Sequence, residues 1–320
     1  MKQRTLGETG LTTSALGFGA MGITSSYGEG DEGQGIAAIR QAHDDGVTLF
    51  DTAESYGWGA NETVVGRAVK SFRDEVVIAT KFGLTPEGGV DSRPDHIRDV
   101  VEQSLRRLDV DHIDVLYQHR IDPEVPIEDV AGAVKQLVEA GTVRWFGLSE
   151  VGATTLRRAD AVHPVSVLQT EYSLFERDVE SLFPTLNELG IGLVAYSPLG
   201  RGFLTGSVKP ASGYDESDYR RRDPRWQPGA FEQNLAAARD LASFAESRGA
   251  TVAQVALAWL LTRGDHIVPI PGTRSPKRAS ENAAAASMIL TDADLARLEL
   301  ILPGGGFGSR YPEGHLPVWE

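Results

Sequence analysis

TLFDTAESYG (residues 48–57), VVIATKFG (76–83) and IDVLYQHR (113–120) each carry a short apolar run into a polar or glycine-containing loop. Runs of this length, without alternation, read as strands covered on both faces, the pattern of parallel sheets. Four chemically capable residues sit at or just beyond the ends of these runs: Asp51, Tyr56, Lys81 and His119. In a parallel α/β fold the carboxyl ends of the strands share one face, and chemistry is done there.

Working outward, residues 2–17 read as two short strands around Glu8-Thr9-Gly10, a hairpin signal. Strand and helix patterns then alternate. Strand-like runs cover 15–19, 48–51, 76–80, 113–118, 145–148, 165–170, 192–196 and 266–270; helical periodicity covers 35–45, 62–71, 94–108, 127–140 and 182–189. This predicts a (β/α)8 TIM barrel, one domain over residues 1–320, with the N-terminal hairpin capping its amino end. After the seventh barrel strand, residues 201–233 are rich in Gly, Pro and charge before a helix expected at 234–248. A βα loop of that length on the catalytic face reads as a lid or binding loop. Gly17-Phe18-Gly19-Ala20-Met21-Gly22 is formally GxGxxG, but it runs into ITSSYGEGDEGQG rather than a helix, so a first barrel strand and its loop explain it better than a dinucleotide fingerprint.

Bulk properties narrow the function. The 320 residues carry a net charge of -14, which opposes nucleic-acid and anionic-membrane partners. There is no cysteine, so disulfides, thiolate catalysis and Cys-type metal sites are excluded, and no other metal set is evident. No apolar run reaches membrane-spanning length and the start lacks an apolar leader core, so a cytoplasmic protein is expected.

The chemistry of the four residues is coherent. A lysine at the inner end of a buried strand needs a counter-charge, because an unpaired buried ammonium costs several kcal/mol. Asp51 on the neighbouring strand is the natural partner. A cation within reach of Tyr56 is expected to lower its pKa by about 1–3 units, making it a general acid near neutrality. His119 would orient and polarise a carbonyl. What the chain itself lacks is a hydride donor, which only a cofactor supplies.

With these residues in view, the chain resembles the aldo-keto reductase superfamily. The matching stretches run almost end to end: FDTAESYG, IATKFG, LYQHR, GLSE, QTEYSLFER, AYSPLGRGFLTG and VPIPGTRSPKRASEN. It looks most like the branch with the long RGFLTG loop that acts on aldehydes and ketones. The resemblance implies an NADPH-dependent barrel, monomeric or homo-oligomeric, that reduces a small-molecule aldehyde or ketone. It assigns a catalytic tetrad to Asp51, Tyr56, Lys81 and His119. It places Ser149 and Gln169 on the nicotinamide carboxamide, Tyr196 stacked on the nicotinamide ring, and Ser197, Leu199, Gly200 and Arg201 around the pyrophosphate. Gly272, Thr273, Arg274 and Arg278 follow the last strand and fall at the adenosine 2′-phosphate, with Glu281 and Asn282 near ribose and adenine. Arginine's forked donors suit a phosphate, so this cluster favours NADP over NAD. One departure is Glu150, where many relatives have asparagine.

Tyr27, Trp58, Phe82, Arg120, Tyr219 and Trp226, with the C-terminal tail, are the candidates for the substrate pocket. Two other readings compete. One is a regulatory subunit resembling the channel-associated β subunits, which share the fold and cofactor site. The other is a barrel hydrolase or lyase using Asp51 with Glu54 or Glu171.

Overall fold

In a computed structural model of the chain, residues 1–24, 31–206, 208–216, 218–312 and 319 are described. Tyr27, one pocket candidate, lies outside them. The hairpin is there: β1 (Gln3–Leu6) pairs antiparallel with β2 (Leu11–Ser14). Eight strands follow as one parallel sheet: β3 (Phe18–Gly19), β4 (Leu49–Asp51), β5 (Val77–Phe82), β6 (Ile113–Gln118), β7 (Val143–Ser149), β8 (Val165–Glu171), β9 (Gly192–Tyr196) and β10 (Ile267–Pro269). Each pairs with its chain neighbour. Gly17 N donates to Pro269 O at 2.9 Å and Gly19 N to Pro271 O at 3.4 Å, so the first and last strands meet and the sheet closes.

The inside of the barrel is a packed core. Leu49, Ala79, Val115, Tyr117, Val167, Val194 and Val268 point inward, and Leu6 and Leu11 of the hairpin join them at the amino end. The hairpin therefore plugs the barrel, as its apolar positions require. Gly147 on β7 makes room for the Tyr117 ring, since a Cβ there would lie 2.4 Å from Tyr117 Cδ1.

Outside, α1 (Glu32–Asp44), α2 (Ala60–Val69), α3 (Pro94–Leu108), α4 (Ile127–Glu139), α5 (Ala153–Asp160), α6 (Phe183–Leu189), α7 (Ala230–Ser247), α8 (Val252–Leu261), α9 (Pro276–Ala284) and α10 (Asp292–Ile301) complete the layer. α3 shows why: Ile97, Val100, Val101, Ser104 and Leu108 fall at helical spacing and are buried, while its charged face is exposed. α7 starts at Ala230 rather than 234, because Gly229 takes a positive φ and Glu232 turns back to accept its backbone N–H. No helix among the described residues is long and apolar enough to cross a membrane.

The segment after β9 is a chain of short 3-10 turns at Gly200–Thr205, Ala211–Gly213, Tyr219–Arg221 and Pro224–Trp226. Phe203 and Trp226 bury their rings against each other, with centroids 4.3 Å apart. The loop thus has a small core of its own, and Trp226 is a packing residue rather than a pocket wall. Phe82 is likewise buried in the outer core.

Candidate active site

The sheet delivers the four residues to one end. Asp51 is the last residue of β4, Lys81 is the fifth of six in β5, and His119 directly follows β6. The loop after β4 brings Tyr56 back over them. Lys81 is fully buried and spends its three N–H donors locally: Nζ to Asp51 Oδ1 at 2.6 Å, to Thr52 O at 2.7 Å and to Tyr56 Oη at 3.3 Å. Because Tyr56 accepts from the ammonium, its own hydrogen is free to be donated elsewhere. Asp51 Oδ2 accepts from Gln169 Nε2 at 2.7 Å. The carboxylate is thereby held from both sides.

The electrostatics differ in one respect from the expectation. Burial raises the Tyr56 pKa more than Lys81 lowers it, so the phenol sits above its ordinary value, not below. Lys81 acts as an offset to desolvation: it keeps a buried phenol from rising further. For Lys81 itself burial works downward, but Asp51 and Tyr56 outweigh it, and the ammonium persists. Burial raises Asp51, with Lys81 and Gln169 opposing. His119 is held well below the usual imidazole value by burial and by the neighbouring Arg120 and Lys81, so the ring is neutral. Its Nδ1 lies 3.4 Å from Ser55 Oγ, and its ring meets Tyr56 edge-on at 5.8 Å.

These groups open into a cavity of about 720 Å³. Asp51, Tyr56, His119, Ser149, Gln169 and Tyr196 line its inner end. One flank is the loop after β9, through Ser197, Leu199 and Arg201; the other is the loop after β10, through Gly272, Thr273, Arg274 and Arg278. Thirteen of the seventeen residues expected at the site thus border one space. Lys81 lies beneath it, bonded to Tyr56. Gly200, Glu281 and Asn282 stand off it: Gly200 faces Phe175, and Glu281 accepts from Thr251 Oγ1 at 2.8 Å.

Arg201 borders the cavity, but its guanidinium is bound elsewhere. It pairs with Glu171 Oε2 at 2.7 Å and Asp223 Oδ2 at 2.7 Å and donates to Arg310 O at 2.6 Å. Its side chain is therefore a fastener of the long loop rather than a free cation for phosphate. Glu171 also meets Arg225, at 3.3 Å, and Glu54 is turned to Arg107, 3.7 Å away. Neither glutamate borders the cavity, which leaves a two-carboxylate hydrolase without its second member. Trp58 is exposed on its loop.

The tail, a pocket candidate in the sequence, does reach the cavity, and the structure shows what fastens it. Arg310 makes a two-pronged pair with Glu150, 2.8 Å on each prong, and Trp319 Nε1 donates to the same carboxylate at 3.2 Å. Tyr311 then reaches the cavity, with its hydroxyl 2.8 Å from that of Tyr196. The sequence offered the tail as a cover for the pocket and Glu150 as a departure from the asparagine of many relatives, but nothing that joined the two.

The cavity suits an extended dinucleotide phosphate. Arg278 is exposed at the start of α9 and makes no ion pair among the described residues, and Ser275 caps that helix. A helix start with adjacent arginines favours a phosphate. Gly19 and Gly272 approach so closely that a Cβ on Gly272 would lie 2.4 Å from Gly19 O, which shapes the floor between the two flanks.

Comparison with known proteins agrees with this geometry. The model of the Aldo/keto reductase family matches residues 15–303. A probable aldo-keto reductase 1 of Glycine max is 42% identical over 317 residues, covering 97% of this chain and 91% of its own. The NADP(+) aldo-keto reductase yakc of Schizosaccharomyces pombe is 42% identical over 315 residues, covering 95% and 93%. Among solved structures, a glycerol dehydrogenase from Gluconobacter oxydans superposes with a TM-score of 0.84 at 31% identity, covering 97% of this chain and 96% of that one.

Proposed function

The chain belongs to the aldo/keto reductase family of NADP-dependent oxidoreductases, and from that premise we propose that it reduces an aldehyde or ketone to the alcohol with Tyr56 as proton donor. The observation that carries the role of Tyr56 is its hydrogen bond from Lys81, which leaves the phenolic hydrogen free to point into the cavity. The cofactor, when bound, supplies the hydride.

The chain's own residues do the rest. The carbonyl oxygen sits between Tyr56 and His119. In the tautomer this step uses, Ser55 donates to Nδ1 and the neutral His119 ring carries its hydrogen on Nε2, which it donates to that oxygen. Tyr56 passes its proton to the oxygen as negative charge develops there, while the fixed Lys81 ammonium stabilises the phenolate left behind. Solvent then reprotonates Tyr56. Ser149 and Gln169 would hold the nicotinamide carboxamide, Tyr196 would lie against its ring, and Ser197 and Leu199 would hold the pyrophosphate, with Gly200 behind them shaping the loop. Arg274 and Arg278, beside Gly272 and Thr273, would hold the 2′-phosphate; Glu281 and Asn282, set back from the cavity on α9, would reach the adenosine only if it extends past this loop.

Tyr56→Phe tests the reading. NADPH oxidation with an aromatic aldehyde is expected to fall by about 10²–10⁴-fold while the NADPH Kd stays within about twofold. Lost cofactor affinity would refute the assignment. Arg278→Ala is expected to weaken NADPH by roughly 10-fold or more and NADH hardly at all, from loss of a charge-assisted contact. Equal weakening, read by fluorescence titration, would remove Arg278 from the 2′-phosphate.

A further inference from the structure

We propose that Arg120 recognises an anion on the substrate, and that the carbonyl compound reduced here carries a carboxylate. The proposal rests on the reductase reading above and names the class of substrate for the same site.

Arginines crowd the mouth of the barrel, and most are paired. Arg201 holds Glu171 and Asp223, Arg225 holds Glu176 at 2.6 Å, and Arg310 holds Glu150. Arg120 is different. Its contacts are neutral oxygens: His119 O at 2.6 Å, Ser149 Oγ at 3.4 Å and Tyr311 Oη at 3.5 Å. Among the described residues no carboxylate lies within 4.0 Å of it. Burial works against its charge, but Tyr196, Tyr311 and Glu150 outweigh it and the guanidinium stays charged; of these only Glu150 is a carboxylate, and both its oxygens are taken by Arg310. A half-buried guanidinium with unfilled N–H donors beside the cavity and no carboxylate of its own has room for an arriving anion.

Position makes that anion a substrate group. Arg120 follows His119 in the chain and borders the same cavity as Tyr56. It is close enough to lower the pKa of both Tyr56 and His119. Two of its five N–H donors, Nε–H and one on Nη2, have no partner among the described residues. The hydroxyls of Tyr311 and Tyr196, bonded to each other, stand beside it and add no negative charge. A forked cation flanked by hydroxyls matches a carboxylate. The tail contributes one of these hydroxyls, so substrate recognition includes a residue that reaches the site only through the Glu150–Arg310 clamp.

The test compares 4-oxobutanoate and 4-carboxybenzaldehyde with their neutral primary amides, in wild type and in Arg120→Gln and Arg120→Lys. The wild type is expected to favour the acids by about 30-fold or more in kcat/KM, mostly through KM. Arg120→Gln is expected to lower kcat/KM for the acids by about 100-fold and for the amides by less than about threefold, with Arg120→Lys between. Calorimetry should show benzoate, not benzamide, binding to the NADP-loaded wild type. Absence of acid preference in the wild type overturns the proposal, and that comparison stands even if a variant fails to fold. Equal losses for acid and amide would make Arg120 a positioning residue for His119. A matching loss of NADPH affinity would assign it to the cofactor. If the wild type reduces none of the four while binding NADPH, the reductase reading falls too.

Discussion

Two clusters of buried charge face each other across the mouth of this barrel. On one side Lys81 sits between Asp51 and Tyr56. On the other, Glu171 and Glu176 are interleaved with Arg201 and Arg225, and Glu150 with Arg310. Both remove ions from water, and both meet the cost with short, directed hydrogen bonds. They differ in what is left over. The first leaves a phenol beside an open cavity with its hydrogen free to be donated. The second spends its bonds inward, leaving, among the described residues, only Arg310 Nε buried without a hydrogen bond, and its product is mechanical: it ties the loop after β9 and the tail 304–312 onto the ends of β7 and β8. Burial of charge thus marks a chemical site only where one member of the cluster keeps an unfilled donor facing space.

The sharpest way to break this comparison is Lys81→Met. It is expected to cut turnover by about 10²–10⁴-fold, and to destabilise the fold by about 3–5 kcal/mol by stranding Asp51. Adding Asp51→Asn should restore much of the stability, read by urea unfolding, and none of the turnover. Recovery of both together would mean the pair serves the fold alone. Next, Glu171→Gln leaves Arg201 and Arg225 short of an anion and should cost about 3 kcal/mol, with kcat changed less than about 10-fold. A collapse of kcat in a folded protein would erase the distinction between the clusters.

The smallest effect is in the pH profile. Reduction needs the protonated phenol, and Tyr56 is held above its ordinary value. The acid is lost as pH rises through the folded pKa, so kcat/KM should show no alkaline decline below about pH 10. A midpoint near pH 8 would show that Lys81 outweighs burial after all.

How far each cluster could be read in the sequence follows from how it is built. Asp51, Lys81 and His119 each end or follow one apolar run, so finding the strands finds them, and Tyr56 lies five residues beyond Asp51. The cations after β10 are contiguous and legible for the same reason. The fastening cluster draws on residues separated by up to 160 positions, as Glu150 and Arg310 are, and nothing local marks them as partners. Arg201 shows the consequence: its place in the loop after β9 could be read from its neighbours, but not the direction of its guanidinium. Trp226 misled in a similar way, since an aromatic in a long loop reads as pocket or core with equal ease until Phe203 is found beneath it.

The sequence by itself determined the barrel, its plug, the order of its strands and the four groups at its carboxyl end, because these depend on short-range pattern and on the parity of strand and helix. Tertiary structure alone decided the direction in which the pKa of Tyr56 moves, a balance of burial and Asp51 against Lys81 and Arg120. It alone joined the tail to Glu150 and brought Tyr311 to the cavity. And it alone left Arg120, among the arginines of the mouth, beside neutral oxygens, because a charge is paired or unpaired only relative to what folding places around it.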